Sequence, residues 1–231
     1  ELDLSPAAPY FHYISNETVE GLQFRQPMGL DAVPRVCDMS SDFLSRPSEA
    51  ERFSLIYAHA QKNLGPAGVT VVVVRDSLLQ NSPTHLPAFL DYHSHIKAHS
   101  NYNTPPVFAI YVVLLVTRWL LRDIGGVGNM ARINQAKAAL LYGLLDQSEG
   151  FYRGHADPAD RSLMNVAFNL ASPEMEKRFL ADALAAGFHG LAGHRSLGGI
   201  RASLYNAVTL SAVEELAQFM TDFRKQHIAN N

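Results

Sequence analysis

The chain has 231 residues, 47% of them hydrophobic and 18% charged, the balance of a soluble globular chain with one or two domains. A net charge of −3 gives no electrostatic case for nucleic acid or an anionic membrane, and the single cysteine, Cys37, excludes an internal disulfide and fits a reducing, cytoplasmic compartment. The opening ELDLSPAAPY is acidic and lacks an apolar core, so it does not read as a signal peptide.

In chain order, Tyr10–Ser15 reads as a strand, followed by Asn16-Glu17-Thr18. That triplet is formally a glycosylation sequon; alternatively Thr18 presents a hydroxyl at a strand end, where α/β sheets keep their ligands. Val33–Cys37 is a short strand ending on Asp38, either a turn-former or a carboxylate that pairs with a buried cation such as a protonated pyridine nitrogen. An apolar strand over Phe53–Ala60 runs into Gln61-Lys62-Asn63, turns through Gly65-Pro66-Ala67-Gly68 and returns as the Val-rich strand Val69–Val74. The links are short and not helical, so this half is either antiparallel or lacks part of its domain. Residues 81–104 read as irregular, with His93, His95 and His99 inviting a metal reading if His-x-His lies on a strand; no further ligand set beyond Asp91 completes it, and no metal is expected.

Thr104 is expected to cap a helix with Pro105 at its first position, running to about Arg122. Its apolar stretch, Val107–Val116, is too short to cross a bilayer and reads as buried. A second, amphipathic helix covers Asn129–Gln147, after GGVG. Then follow a strand over Ser162–Leu170, a helix opened by Ser172-Pro173-Glu174 and ending at Gly187, a short strand Phe188–Ala192, and a strand Ile200–Asn206. A last helix with the capping box Ser211–Glu214 runs to about His227. This order describes a small α+β domain. The loop between its last two strands carries His194 and Arg195, with Arg201 just beyond paired glycines, a grouping suited to a carboxylate or phosphate. An ordinary charged surface loop is the simpler reading of that stretch alone.

Lys62 sits where an apolar strand meets a tight turn. Desolvation favours a neutral amine, a neutral amine can attack a carbonyl, and on a strand Ala58, Ala60 and Lys62 would share one face. The position suits a Schiff-base lysine; alone it reads more simply as a solvated hairpin lysine.

Taken together, the segments NET (16–18), SSDFLSRP (40–47), IYAHAQKNLGPAG (56–68), YNTPPVFAIY (102–111), FYR (151–153), RSLMNV (161–166) and GHRSLGGIRASLYNA (193–207) resemble the phosphoserine aminotransferase family of class-V aminotransferases. The resemblance implies an α/β fold of the pyridoxal-phosphate-dependent aspartate aminotransferase type (fold type I), as a partial large domain over 1–122 and a small C-terminal α+β domain over 123–231. It implies pyridoxal 5'-phosphate as cofactor, linked to Lys62, with Asp38 on the pyridine nitrogen and Thr18 and Gln61 near the ring oxygen and phosphate. Asn103 and Thr104 would reach the neighbouring subunit's cofactor in a homodimer. Arg201 would bind the substrate α-carboxylate, and His194 and Arg195 its phosphate or side-chain carboxylate. The implied reaction converts glutamate and 3-phosphohydroxypyruvate to phosphoserine and 2-oxoglutarate, with 4-phosphohydroxythreonine formation as a second activity. The family's N-terminal portion, which holds a glycine-rich phosphate cup, a ring-stacking aromatic and further arginines, has no counterpart here. The alternative is therefore a truncated, non-catalytic dimeric fragment.

Overall fold

The structure is a computed structural model describing residues 4–83 and 85–228. In chain order its elements are strands β1 (Phe11–Ile14), β2 (Asn16–Glu17), β3 (Leu22–Gln23), β4 (Arg35–Asp38), β5 (Leu55–His59) and β6 (Thr70–Val74), then helices α1 (Asp76–Gln80), α2 (Tyr92–Lys97), α3 (Val107–Arg122) and α4 (Val127–Asp146). Strands β7 (Arg153–Gly154) and β8 (Asn165–Asn169), helix α5 (Pro173–Ala185), strand β9 (Ile200–Ser203) and helix α6 (Leu210–Ile228) complete it. Two compact units emerge: one holds the chain up to Ser15 with 25–44 and 48–123, the other 16–24, 45–47 and everything from Ile124.

The first unit is built on a four-stranded sheet in the order β1-β4-β5-β6. β1 and β5 both run parallel to β4, and only β6 is antiparallel to its neighbour. Of the two alternatives for this half, the antiparallel one is set aside: connections of more than a dozen residues, 15–34 and 39–54, return the chain to run parallel without a covering α-helix. One face packs into two small clusters, Cys37 with Met39, Phe53 and Ile56, and Ala58 with Ala60 and Leu64.

Several local expectations give way to tertiary context. Thr104 is not the cap of α3: the helix starts at Val107 after Pro106, because a residue before proline is disfavoured in helical geometry and Pro105-Pro106 stacks two such restrictions. Nor is α3 a buried helix, since only Ala109 and Leu120 are buried while Phe108 is 74% and Leu121 70% exposed. His93 and His95 lie on α2, capped by Asp91, rather than on a strand. Among the described residues no three His, Cys, Asp or Glu side chains gather as a metal site.

The second unit wraps a three-stranded sheet, β7-β8-β9, with antiparallel pairing throughout. α5 begins as its sequence indicates, with Ser172 accepting from Met175 N at 3.2 Å and Pro173 in the first turn. At α6 the cap is Thr209, which accepts from Ala212 N at 3.2 Å, displacing the expected Ser211 box; Ser211 instead pairs its hydroxyl with Thr209. The short strand expected over Phe188–Ala192 reduces to one bridge, Ala192 to Ile200. The core joins α4, α5 and α6 to β8 and β9 through Leu141, Phe168, Phe179, Ile200, Met220 and their neighbours. Its aromatic rings meet edge to face, with Phe179 and Phe223 centroids 5.1 Å apart, a geometry favoured by the ring quadrupole.

Candidate active site

In the first unit, Asp38 ends β4 in register with Tyr57 of β5 and Ile14 of β1. The carboxyl ends of parallel strands are where open α/β sheets hold ligands. Asp38 is fastened there from both sides. Its backbone oxygen accepts from Ser15 N at 2.9 Å, and its carboxylate Oδ1 accepts from Ser40 N at 2.8 Å. The loop that follows is tied to the same strand ends: Ser40 Oγ accepts from His59 N at 2.9 Å, and the Ser15 hydroxyl donates to Asp42. Serines and an aspartate at 40–42 are therefore buried because they satisfy backbone and one another.

β5 stops at His59, so Lys62 is not on the strand with Ala58 and Ala60, as the sequence suggests, but in the turn after it. That turn is closed by Leu64 N and Gly65 N donating to Ala60 O at 3.1 and 2.8 Å. Buried Asn63 pins it by donating to Phe43 O at 2.7 Å. The half-buried Lys62 thus leaves the sheet from the same strand end as Asp38, one strand over. Gln61 is exposed beside it, and Asn103 and Thr104 are exposed in the segment preceding α3.

Next to Asp38, Cys37 is fully buried. Burial, with the Asp42 charge behind it, pushes its thiol up to about 12, which keeps it protonated and chemically quiet.

In the second unit, half-buried Thr18 occupies the turn between β2 and β3. That hairpin is clamped to 160–165 by Gln23 N donating to Asp160 O at 2.9 Å, Ser162 N donating to Gly21 O at 2.8 Å and Asn16 donating to Asn165 Oδ1 at 2.9 Å. Arg201 lies on β9 opposite Ala167. Its Nε is buried without a hydrogen-bond partner among the described residues, an unmet donor of the kind that an oxyanion satisfies. The preceding loop is drawn tight by Gly193 N donating to Gly199 O at 2.9 Å and Gly198 N donating to His194 O at 2.7 Å. A Cβ on Gly193 would lie 1.8 Å from the Gly198 oxygen, so glycine is required there. Ser196 N donates to His194 Nδ1 at 3.3 Å, which in the neutral ring leaves the proton on Nε2. Arg195 is exposed.

Asp38, Gln61, Lys62, Asn103 and Thr104 thus belong to the first unit, and Thr18, His194, Arg195 and Arg201 to the second. Sequence reasoning overlooked the most buried cation of the second unit, Lys137, which is 0% exposed. Its Nζ donates to Leu204 O, Tyr205 O and Val208 O at 2.9, 3.0 and 2.9 Å, and burial lowers it from 10.5 to about 8. The signal was present: Lys137 falls on the helical stripe of Met130, Asn134, Leu141 and Leu145, all buried. It holds the turn between Arg201's strand and α6.

The family model "Aminotransferase class-V" matches residues 4–216. A phosphoserine aminotransferase of Geobacillus kaustophilus is 54% identical over 219 residues, 95% of this chain and 60% of that one. Two solved structures are also similar. The phosphoserine aminotransferase of Bacillus circulans subsp. alkalophilus superposes with a TM-score of 0.93 at 50% identity, over 97% of this chain and 62% of that chain. A phosphoserine aminotransferase from Trichomonas vaginalis, with PLP bound, superposes at 0.88 and 36% identity, over 95% of this chain and 62% of its own. The chain spans about 60% of the length of the curated relatives it matches.

Proposed function

The chain belongs to the class-V aminotransferases, with their α/β fold, and on that premise we propose that it is the larger part of a pyridoxal-phosphate-dependent phosphoserine aminotransferase. It would move an amino group from glutamate to 3-phosphohydroxypyruvate in serine biosynthesis and form 4-phosphohydroxythreonine as a second product. The observation that carries this is the pairing of a carboxylate and a primary amine, Asp38 and Lys62, at the carboxyl ends of adjacent parallel strands. That donor set fits pyridoxal phosphate, which needs an anion for its ring nitrogen and an amine for its aldehyde. When bound, the cofactor supplies an electron sink for charge developing at the substrate Cα.

The chain's own residues do the rest. Asp38, whose carboxylate accepts from Ser40 N, would sustain positive charge on the ring nitrogen. Lys62 Nζ would hold the cofactor through its aldehyde, and as a primary amine it would take the Cα proton and return it as general base and acid. Thr18 would serve the cofactor's ring oxygen and Gln61 its phosphate, and Asn103 and Thr104 would serve the cofactor of a second subunit in a homodimer. Arg201, whose Nε lacks a partner, takes the substrate carboxylate. His194 and Arg195 take the phosphate, or the side-chain carboxylate of glutamate. Residues 1–122 supply the cofactor-binding part and 123–231 the small domain. A cytoplasmic compartment would suit the single cysteine, Cys37. Among the described residues no helix is long and apolar enough to cross a membrane.

Borohydride trapping after addition of pyridoxal phosphate tests the reading. A covalent adduct is expected at Lys62 and none in Lys62→Ala; absence of any adduct in the unaltered chain overturns cofactor binding by this polypeptide. Phosphoserine-dependent glutamate formation from 2-oxoglutarate then tests the substrate, with other amino acids as the competing donors.

A second reading has its own support. The exposed Phe108, Tyr111 and Leu121 on α3, together with the 60% span, suit a folded dimeric portion that is inactive alone. Trapping without turnover, in a dimer by sedimentation, would favour it.

A further inference from the structure

On the sheet face that carries Asp38, two further side chains line up across the strands. Tyr57 is the register partner of Asp38 on β5. His12 lies on β1, in register with Val36 of β4. The His12 Nε2 and Tyr57 hydroxyl are 3.0 Å apart, and the two rings stack at 6.0 Å with 15° between their planes. Burial pushes the Tyr57 phenol up, with the neighbouring Asp38 carboxylate adding to it, so the phenol keeps its proton.

A phenol has one proton to give and an oxygen that accepts. With a carboxylate on one side and an imidazole on the other, the proton is drawn toward the negative charge. The oxygen then accepts from Nε2–H of His12. This allocation holds for the Nε2–H tautomer of the neutral ring and for the protonated ring, both of which carry a hydrogen on Nε2.

We propose that His12 and Tyr57 are positioning residues for Asp38: an ordered relay, His12 Nε2–H to Tyr57 Oη–H to the Asp38 carboxylate, that fixes the orientation of the carboxylate presented at the strand end. Its role toward a cofactor rests on the reading of Asp38 given above. Ser40 N holds one oxygen of the carboxylate, and the relay holds the group from the sheet side.

The test separates the relay from that reading. Magnetic resonance of the full chain, carrying isotope-labelled histidine and carboxyl-labelled aspartate, reports the His12 tautomer and the Asp38 environment without cofactor. The expected result is Nε2–H on His12, a preference lost in Tyr57→Phe, with a shifted Asp38 carboxyl resonance in that variant. His12→Gln, whose amide N–H can stand in for Nε2–H, should leave the Asp38 resonance almost in place, whereas His12→Leu should move it. An Nδ1–H tautomer, or an Asp38 resonance indifferent to Tyr57→Phe and His12→Leu, overturns the relay. Unchanged melting temperatures for the His12 pair keep the test valid should Tyr57→Phe fold poorly. Added pyridoxal phosphate gives the second arm: its Kd should rise roughly tenfold in Tyr57→Phe, the weight of one hydrogen bond to a charged group. Uptake that is absent, or equal in the unaltered chain and Asp38→Asn, overturns Asp38 as a cofactor residue, while the resonances still decide the relay.

Discussion

The three-stranded sheet of the second unit is packed by α4, α5 and α6 around one cluster of eighteen buried residues, whereas the four-stranded sheet of the first unit buries clusters of only four and three. Exposed large hydrophobic side chains follow the same divide: among the described residues seventeen lie in the first unit and five in the second. The two units spend their apolar residues differently. The antiparallel unit closes its core with helices adjacent in sequence; in the parallel one, whose second sheet face bears His12, Asp38, Tyr57 and His59, the described α-helices bury only Ala109 and Leu120. Stability should therefore be concentrated in the second unit, and the candidate cofactor residues Asp38 and Lys62 sit on the softer one.

The strongest way to break this comparison is Phe179→Ala. Phe179 is 0% exposed and touches Tyr152, Phe168, Phe219 and Phe223, so its loss should cost about 3–5 kcal/mol. Denaturant titration should show the shift in the transition of the second unit; a loss confined to the first would refute the division.

Lys137→Met comes next, at about 2 kcal/mol near neutral pH, because the buried Leu204 carbonyl and the part-buried Tyr205 and Val208 carbonyls lose their donor. Its pH dependence carries a definite sign. The folded value is lowered from 10.5 to about 8, so between those values the unfolded chain binds more protons than the folded one. Stability rises with pH across that window, by at most about 1.4 kcal/mol per pH unit. The difference between the unaltered chain and Lys137→Met, measured by denaturation from pH 7 to 10.5, isolates that rise from the titration of tyrosines. A flat difference would falsify the assignment.

Gly193→Ala should cost about 1–3 kcal/mol, because its Cβ would meet the Gly198 carbonyl and the Gly199 oxygen and the backbone must shift. Its larger consequence is local: amide exchange at 194–198 should quicken while the core of the same unit is unmoved. The smallest effect belongs to the first unit's open surface. Phe108→Gln, at a side chain 74% exposed, should change stability by no more than about 0.5 kcal/mol and reduce any concentration-dependent association seen by light scattering. A cost like that of Phe179→Ala would mean that α3 is covered after all.

Much of this was readable locally. Ser172-Pro173 announces a helix start because a hydroxyl cap and a fixed φ act within one turn. The Gly-Pro-Ala-Gly stretch announces the reversal between β5 and β6 for the same reason. Where two local rules competed, the sequence misled. Pro105-Pro106 delayed α3 past Thr104, and Thr209 rather than Ser211 took the cap of α6. The hydrophobic run of α3 was taken for burial, yet periodicity reports which side chains avoid water, not whether anything lies against them.

The sequence by itself determined the candidates for chemistry: Lys62 after an apolar strand, Asp38 at a strand end, and His194, Arg195 and Arg201 around paired glycines. Only the tertiary structure decided that β1, β4 and β5 run parallel, so that Asp38 and Lys62 leave the sheet at one end. It also decided that Lys137 is buried under three carbonyls and that His12 meets Tyr57 across 45 residues of chain. The physical reason is the range of the interactions. Turn and cap preferences act over three or four residues and can be read in order, whereas strand direction and the satisfaction of a buried polar group depend on partners that the chain brings near only by folding.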